Sequence, residues 1–321
     1  MEEQGFLPSL KRWDSTLSIF MNFKIYLYLS LIILCFFCKI NAFQFIPNDE
    51  KLKSICESYD IDFSKYNSNF NKSYFAKQDY NDFAIITIPK SGTYILNKLL
   101  SLITGRVKNE TIWNNYEPQF MLHIQKHPEE FISGHDVNFV FNLNNIKFIT
   151  TIRDFRDILI SWIYYIHWTK TKNWEIPKEK VQNILTQILV AWKNENISNE
   201  FLKEILPVIA RTTYWRKKII EKNKNQNVFF VKFEDIVGEK GGGSISLQQQ
   251  TIQQLSTFLN ISLSEKQSEF LCKVLHGNSF TFRKGTIGSW REIFTQEHKK
   301  IFKRNFNHLL IDFGYEKDDK W

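Results

Sequence analysis

Apolar residues recur along the chain in two patterns that together predict an α/β fold. Three short runs of β-branched and aromatic residues, nearly uninterrupted, predict strands buried on both faces: residues 83–88, 145–152 and 227–233. Apolar residues spaced three or four positions apart predict amphipathic helices over residues 155–168, 181–192, 201–221, 247–259, 264–275 and 297–311. Strands separated by helices favour a central parallel β-sheet flanked by helices, with ligands bound beyond the carboxyl ends of the strands.

The same pattern divides the chain into three parts. Residues 25–38, IYLYLSLIILCFFC, are an uninterrupted apolar block with a lysine on each side, shorter than a typical bilayer span. Residues 1–42 are therefore predicted to be an N-terminal hydrophobic leader, either a signal peptide or an uncleaved signal anchor. Residues 43–78 are rich in Asn, Ser and Lys and predict a polar stem, and residues 79–321 predict the globular domain.

The leader sets the expected location of the protein. Translation from Met21 would give the layout of a signal peptide, whereas translation from Met1 favours an anchor with membrane association through residues 25–38. Either layout predicts a domain in the lumen of the secretory pathway or anchored at a membrane. The alternative is a cytoplasmic protein in which the apolar block is a buried core helix, although such a helix would show a polar face.

Composition and charge narrow the classes of ligand. Of the 321 residues, 43% are hydrophobic, which is ample for a packed core, and the formal net charge is +8. This basic excess favours anionic ligands, phosphates above all. The four cysteines indicate neither a disulfide framework nor a metal site, because two lie in the apolar block and the other two, Cys56 and Cys272, either pair or stay free.

The first predicted strand ends in a polar turn, Pro89-Lys90-Ser91-Gly92-Thr93, that leads into a helix-like pattern. Backbone N–H groups at such a turn, the helix N-terminus and the charge of Lys90 make an anion site, and Gly92 allows a phosphate to approach closely. The ATP-type motif G-x-x-x-x-G-K-[ST] is absent, so an ordinary ATPase or GTPase is disfavoured. A plain structural turn is the alternative interpretation.

Two further basic clusters follow. Arg153 leaves the second predicted strand, and Ser161 lies about two turns inside the next helix, so both face one anion if it binds beside the start of that helix. A later loop, FRKGTIGSW, contains Arg283, Lys284 and Gly285. Each cluster alone is a weak signal, because arginines often pair locally at helix N-termini and surface loops often contain basic triplets.

Taken together and in this order, the motifs resemble the sulfotransferase family. The likeness runs from about Phe83 to Tyr315 and includes Phe233-Glu234-Asp235 after a strand and Gly288-Ser289-Trp290 near the C-terminus. Members of that family use 3′-phosphoadenosine 5′-phosphosulfate (PAPS). The resemblance therefore implies a P-loop-NTPase-like sulfotransferase fold, PAPS as co-substrate and no metal.

The resemblance also implies a role for each matched residue. The residues implied to hold the 5′-phosphosulfate of PAPS are Lys90, Ser91, Gly92 and Thr93. The residues implied to hold its 3′-phosphate are Arg153, Ser161, Arg283, Lys284 and Gly285. A nucleotide with charge at both ends of its ribose needs two separated basic cradles, and the sequence contains two.

Transfer to a hydroxyl or amine requires a general base. His135, in FISGHDVNF, matches the position of the family's catalytic histidine, while Lys90 would stabilise the leaving oxygen. A structural role for His135 is the alternative. His123 and His127 have the spacing of a helical metal pair, but the Glu of H-E-x-x-H is missing and Pro128 follows at once, so no metal site is predicted.

The chain departs from the family pattern in two places. Tyr94 and Ile95 replace a Thr-Trp pair whose tryptophan stacks on adenine in many members, so adenine must be held by other aromatic residues. Tyr214 is a candidate for the family's adenine-contacting tyrosine, and Tyr94 is counted among the cofactor-binding residues. Ser133 replaces a lysine that some members have two residues before the catalytic histidine, which removes one transition-state charge.

The sequence thus predicts a PAPS-dependent sulfotransferase that acts on a hydroxyl- or amine-bearing acceptor. A lumenal location favours a carbohydrate, a lipid or a small alcohol. Two alternatives stay open, a non-catalytic phosphonucleotide-binding protein and, less favoured, a P-loop kinase. No nucleic-acid partner is expected, and the oligomeric state is left open.

Overall fold

A computed structural model of the protein describes residues 46–78, 82–109, 126–135, 146–192, 227–277 and 282–321. Across these ranges, five strands form one sheet: β1 Phe83–Ile86, β2 Val107–Asn109, β3 Glu130–Gly134, β4 Lys147–Ile152 and β5 Val228–Lys232. They are ordered β2-β3-β1-β4-β5, and every pairing is parallel. The predicted central parallel sheet with flanking helices is confirmed.

Helices connect and cover the strands. The helices before β4 are α1 Asp49–Ser58, α2 Phe63–Asn67, α3 Lys72–Phe75 and α4 Thr93–Thr104. Those after β4 are α5 Phe155–Thr171, α6 Lys178–Ala191, α7 Phe233–Ile236, α8 Ile245–Phe258, α9 Glu265–Val274, α10 Trp290–Ile293 and α11 Gln296–Asp312, with a 3₁₀ turn at Glu239–Gly241. The predicted helix over residues 201–221 lies outside the described residues.

Two hydrophobic clusters explain why the strands are nearly continuous apolar runs. One cluster joins α1, α4, α8 and α9 to the sheet through Phe83, Ile85 and Ile149, all at most 1% exposed. The other packs α5, α6 and α11 around residues such as Ile163 and Phe306. β1 and β4, covered in this way, gain free energy from burial at nearly every position.

The strand order places a binding crevice between β1 and β4. From β1 the chain crosses to β2 and β3 on one side, and β4 leads to β5 on the other. In an open parallel sheet, ligands bind beyond the carboxyl ends of the strands at the point where the order reverses. Lys90 follows β1 and Arg153 follows β4, so both lie at this crevice.

Residues 46–78 do not form the predicted polar stem, because they pack as part of the globular domain. Tyr66 and Phe70 are fully buried, the Tyr66 hydroxyl donates to the carbonyl of Leu102 at 2.7 Å, and the Tyr74 hydroxyl donates to that of Ile103 at 3.1 Å. Their aromatic rings attach this segment to α4. The prediction was based on the abundant Asn, Ser and Lys of this segment and did not take account of its apolar residues, which recur at helical spacing.

The described ranges contain no helix that is both long enough and apolar enough to cross a membrane. The predicted leader, residues 1–42, lies outside those ranges, so its signal-peptide and signal-anchor interpretations stay predictions.

Candidate active site

The turn after β1 is held in a conformation that few residues adopt. Lys90 has φ 69° and Gly92 has φ 113°, both in the left-handed region. A Cβ at Gly92 would lie 2.8 Å from the ring of Phe233, so the turn needs glycine here for both space and conformation. The turn brings the backbone to the N-terminus of α4, which begins at Thr93 and forms an anion site.

Ser91 anchors this turn from below. Its hydroxyl donates to the carbonyl of Ile88 at 2.6 Å and lies 2.5 Å from the hydroxyl of Thr151, near the end of β4. Ser91 is fully buried and does not line the cavity. Its side chain therefore ties together the ends of β1 and β4 rather than reaching a ligand, unlike the role that the resemblance implied.

A cavity of about 780 Å³ opens beyond the carboxyl ends of β1 and β4. The predicted site residues that line it are Lys90, Gly92, Thr93, Tyr94, His135, Arg153, Ser161, Arg283, Lys284 and Gly285. Tyr214 lies outside the described residues. The structure thus brings residues from four distant segments of the chain to one cavity.

The cavity wall is strongly basic. Its cationic side chains are Lys90, Lys108, Arg153, Arg283 and Lys284, and its one carboxylate among the described residues is Asp157. The Asp157 carboxylate accepts hydrogen bonds from the backbone N–H groups of Gly288, at 2.7 Å, and Trp290, at 2.9 Å. Its Oδ2 lies 3.8 Å from Nη2 of Arg153. Burial raises the pKa of Asp157, with Arg153 opposing the shift. Because five cationic side chains face this one carboxylate, the described part of the wall keeps its attraction for anions.

Arg153 connects the two basic cradles. Its Nη1 donates to the carbonyl of Lys90 at 3.2 Å, and its Nη2 donates to that of Thr286 at 2.9 Å. The guanidinium carbon lies 4.2 Å from the centre of the Phe233 ring. Its Nε is buried with no hydrogen-bond partner within the described part of the chain. Arg153 therefore fixes the distance between the turn after β1 and the loop of residues 283–289.

The second cradle is built from α5 and the loop of residues 283–289. The guanidinium of Arg283 lies 3.7 Å from the ring centre of Tyr164, one turn after Ser161 on α5. Burial lowers the pKa of Arg283. Gly285 has φ 59°, and a Cβ there would lie 2.5 Å from the Phe282 ring. The loop can therefore present Arg283 and its backbone to an anion only with glycine at this position.

Lys90 lies over an aromatic surface that sequence reasoning did not identify. Its Nζ is 3.3 Å from the ring centre of Tyr165 and 5.7 Å from that of Trp162. Tyr165 stacks in turn on Trp168, with ring centres 6.1 Å apart. Burial, and then the charge of Arg153, lower the pKa of Lys90 to about 7. The available signal was the three-residue spacing of these aromatics on the helix that carries Ser161.

The hydrogen bonds of His135 fix its tautomer. Nδ1 lies 2.8 Å from the carbonyl oxygen of Thr87, and a carbonyl can only accept, so Nδ1 carries the proton and Nε2 carries the lone pair. The Thr87 hydroxyl lies 3.3 Å from the same nitrogen and 2.5 Å from the hydroxyl of Thr93. In the neutral ring this arrangement leaves the lone pair on Nε2, and hydrogen bonds link His135 to the start of α4.

Apolar and aromatic residues line another part of the cavity. Leu275, His276 and Phe282 face it, with the His276 and Phe282 rings in edge contact at 5.2 Å. Tyr94 also lines it and contacts Tyr59 edge to face at 5.6 Å, and burial raises the Tyr94 pKa to about 12. These flat surfaces offer a place for a nucleotide base next to the basic cradles.

One group of metal-ligating side chains occurs in the described residues, His127, Glu129 and Glu130. None of them lines the cavity. His123, the other member of the histidine pair noted in the sequence, lies outside the described residues.

Residues 80–314 match the sulfotransferase domain family. The chain belongs to this family. The predicted enzyme class, a PAPS-dependent sulfotransferase, is confirmed by this match, and the kinase alternative is excluded. An amine sulfotransferase of Oryctolagus cuniculus is 20% identical over 274 residues, which cover 73% of this chain and 82% of that protein.

Two solved structures are also similar to this sulfotransferase. The mouse sulfotransferase SULT7A1 complexed with PAP has a TM-score of 0.47 at 16% identity, covering 72% of this chain and 84% of that one. A retinol dehydratase in complex with androsterone and inactive cofactor PAP has a TM-score of 0.45 at 16% identity, covering 71% and 80%.

We expect this sulfotransferase to bind adenosine 3′,5′-bisphosphate, the nucleotide left after transfer, more weakly as the pH rises above about 7. The pKa of Lys90 is lowered to about 7, so unbound protein loses this charge over that range, whereas a bound anion favours the protonated lysine. Binding then takes up a proton, and the affinity falls by up to about 10-fold per pH unit.

Isothermal titration calorimetry between pH 6 and 9, in buffers of different ionisation enthalpy, measures both the affinity and the proton uptake. Lys90→Arg is the matched control, because arginine stays protonated throughout this range. A wild-type affinity that is as independent of pH as that of Lys90→Arg would contradict the prediction.

Proposed function

We propose that this protein transfers the sulfuryl group of PAPS to a hydroxyl or amine of its acceptor, with His135 as general base and Lys90 stabilising the leaving oxygen. The observation that carries the proposal is the convergence of Lys90, Arg153 and His135 on one basic cavity at the carboxyl ends of β1 and β4. Each contributes a different function: charge at the turn, a link between two anion cradles, and a proton acceptor.

The features of the cavity fit a nucleotide with two separated anionic groups. Gly92 and Gly285 each leave backbone accessible where a Cβ would clash, and the Arg153 Nε is buried with no acceptor in the described part of the chain. We assign the turn of Lys90 to the phosphosulfate end and Arg283 with Ser161 to the 3′-phosphate. Leu275, His276 and Phe282 would then contact the adenine, in place of the tryptophan that the turn lacks.

The residues divide the chemistry of an in-line transfer between them. His135 Nε2 takes the proton of the acceptor hydroxyl or amine while the acceptor atom forms its bond to sulfur. The bond from sulfur to the phosphate oxygen breaks, and Lys90 donates to that oxygen as it gains the electron pair. A preorganised donor at the leaving oxygen is worth about 3 to 4 kcal/mol, and a positioned base about 10²- to 10⁴-fold in rate.

The acceptor we propose is a carbohydrate, a lipid or a small alcohol, with amines included. The inclusion of amines is supported by the relative from Oryctolagus cuniculus that is named an amine sulfotransferase. The choice of secreted or membrane acceptors rests on the leader at residues 1–42, which would place the domain in a secretory lumen or at a membrane. An acceptor screen with ³⁵S-labelled PAPS over hexoses, sterols, phenols and alkylamines would distinguish these classes.

We expect Lys90→Ala to lower kcat for transfer of labelled sulfate from PAPS by about 10²- to 10³-fold, because the leaving oxygen loses its cationic donor. The matched control is Lys266→Ala, which removes an exposed lysine of α9 that does not line the cavity and should leave kcat unchanged. Transfer by Lys90→Ala at the wild-type rate would refute the proposed role of the turn.

A further inference from the structure

Asn97 is a buried amide for which the proposed mechanism has no role. It lies on α4 one turn after Thr93 and is only 4% exposed, yet it lines the same cavity as Thr93 and His135. Its Oδ1 accepts a hydrogen bond from the hydroxyl of Ser133 at 2.8 Å, and Ser133 is 5% exposed. These two buried polar residues are 36 positions apart in sequence, and a buried polar pair of this kind calls for a structural or functional explanation.

The bond to Ser133 orients the amide. Because the hydroxyl of Ser133 donates, it occupies Oδ1, and the NH₂ group of Asn97 is directed elsewhere. Among the described residues, that NH₂ group forms no hydrogen bond, and it is not sealed from the cavity. A donor that is oriented by a buried partner and faces a cavity is suited to a ligand oxygen.

Hydrogen bonds connect the helix of Asn97, and Asn97 itself, to the strand end that carries the proposed base. Thr93, one turn before Asn97, has its hydroxyl 2.5 Å from that of Thr87, and the Thr87 carbonyl holds Nδ1 of His135 at 2.8 Å. Ser133, which orients the amide, is two residues before His135 on the same strand end. Thr93, the amide of Asn97 and His135 therefore line one cavity, through which the sulfuryl group would pass from the turn of Lys90 to an acceptor at His135.

We propose that the NH₂ group of Asn97 donates a hydrogen bond to a peripheral oxygen of the sulfuryl group during transfer. The inference rests on the proposed function. As the acceptor–sulfur bond forms, the bond from sulfur to the phosphate oxygen breaks; its electron pair stays on the phosphate oxygen, and the acceptor proton goes to His135. The peripheral sulfuryl oxygens move as the sulfur passes from the phosphate oxygen to the acceptor, and Asn97 donates to one of them more strongly in the transition state than in bound PAPS. Ser133 is a positioning residue, because it acts by orienting Asn97.

The test distinguishes an effect of Asn97 on the sulfuryl group from an effect on the acceptor. With ³⁵S-labelled PAPS, both transfer to an acceptor and slow release of sulfate to water involve the same sulfuryl group. We expect Asn97→Ala to lower both rates by about 10²-fold, the effect of removing one preorganised donor. The affinity for adenosine 3′,5′-bisphosphate, which has no sulfuryl group, should stay unchanged and also shows that the variant is folded. Asn97→Asp should lose more, because a carboxylate repels the sulfuryl oxygens.

Two matched variants control for packing. Ser101→Ala changes a buried residue of the same helix whose hydroxyl lies 3.4 Å from that of Tyr59, and it should keep both rates. Ser133→Ala keeps the amide but removes its orientation, so kcat should fall less than in Asn97→Ala, with nucleotide affinity retained. If Asn97→Ala does not bind the nucleotide, Asn97→Leu, which has a similar shape and no charge, decides: unchanged rates in it would overturn the inference.

Three outcomes separate the hypotheses. Unchanged rates in Asn97→Ala would overturn the inference alone. A raised KM for the acceptor with unchanged release of sulfate to water would assign the amide to the acceptor and overturn it as well. A wild type that binds the nucleotide but transfers sulfate neither to an acceptor nor to water would instead overturn the proposed function.

Discussion

We expect His135→Ala to lower kcat for sulfuryl transfer by about 10²- to 10⁴-fold, because the acceptor proton then has no positioned base. The carbonyl of Thr87 holds the proton on Nδ1, which leaves the lone pair of the ring on Nε2. Nucleotide affinity should be retained, since the basic cradles at Lys90 and Arg283 are untouched. The measurement is kcat at saturating labelled PAPS, together with the dissociation constant of adenosine 3′,5′-bisphosphate.

The pKa of the acceptor gives a sharper test of this base. An acceptor of low pKa loses its proton with little help, so the loss in His135→Ala should shrink across a series of acceptors of decreasing pKa. His167→Ala is the matched control, because His167 hydrogen-bonds the carbonyl of Glu175 and does not line the cavity. A loss that is equal for every acceptor would indicate that His135 orients the acceptor rather than deprotonating it.

The main strands of the fold were predictable because consecutive residues in them are apolar and buried. β1 and β4 are buried along nearly their whole length, and apolar runs of that kind have few other interpretations. β2 is only three residues long and exposes Lys108, and β3 begins with Glu130 and ends with Gly134, so neither shows a strand pattern. β3 exists because β1 offers an edge for pairing and β2 because β3 does, and such edges are a property of the folded sheet.

The basic part of the site was predictable for a related reason. Lys90 lies in the turn after β1 and Arg153 directly follows β4, and topology brings the ends of parallel strands together. Sequence reasoning missed the partners that come from the faces of helices, such as Tyr165 beneath Lys90 and Asn97 beside Ser133. Ser91 is the opposite case. It matched the family motif in the sequence, but in the structure its hydroxyl contacts Thr151 instead of the cavity.

The largest stability effect should come from Arg156, a buried cation next to the site. It is 2% exposed, and its guanidinium carbon lies 3.9 Å from the ring of Trp290 and 4.3 Å from that of Trp321. Nη2 pairs with Asp154 at 2.6 Å, and Nη1 lies 2.7 Å from a Glu316 oxygen, an ion pair without hydrogen-bond geometry. Asp154 in turn caps the N-terminus of α5.

We expect Arg156→Ala to lower the free energy of unfolding by about 3–5 kcal/mol, because it leaves Asp154 and Glu316 without their cation in a region closed by two tryptophans. Urea denaturation with an unchanged m value measures this loss. Arg304→Ala, on the exposed face of α11, should stay within about 0.5 kcal/mol of the wild type.

The same substitution should reach the active site. Asp154 is adjacent to Arg153, and the neighbouring Trp290 donates its backbone N–H to Asp157, which holds the loop of residues 283–289. A loosened Arg156 cluster should therefore raise KM for PAPS more than it lowers kcat, because it displaces the 3′-phosphate cradle and leaves Lys90 and His135 in place. If Arg156→Ala were as stable as Arg304→Ala, the two ion pairs would only offset the desolvation of their charges, and the link to the loop would have to run through Asp157 alone.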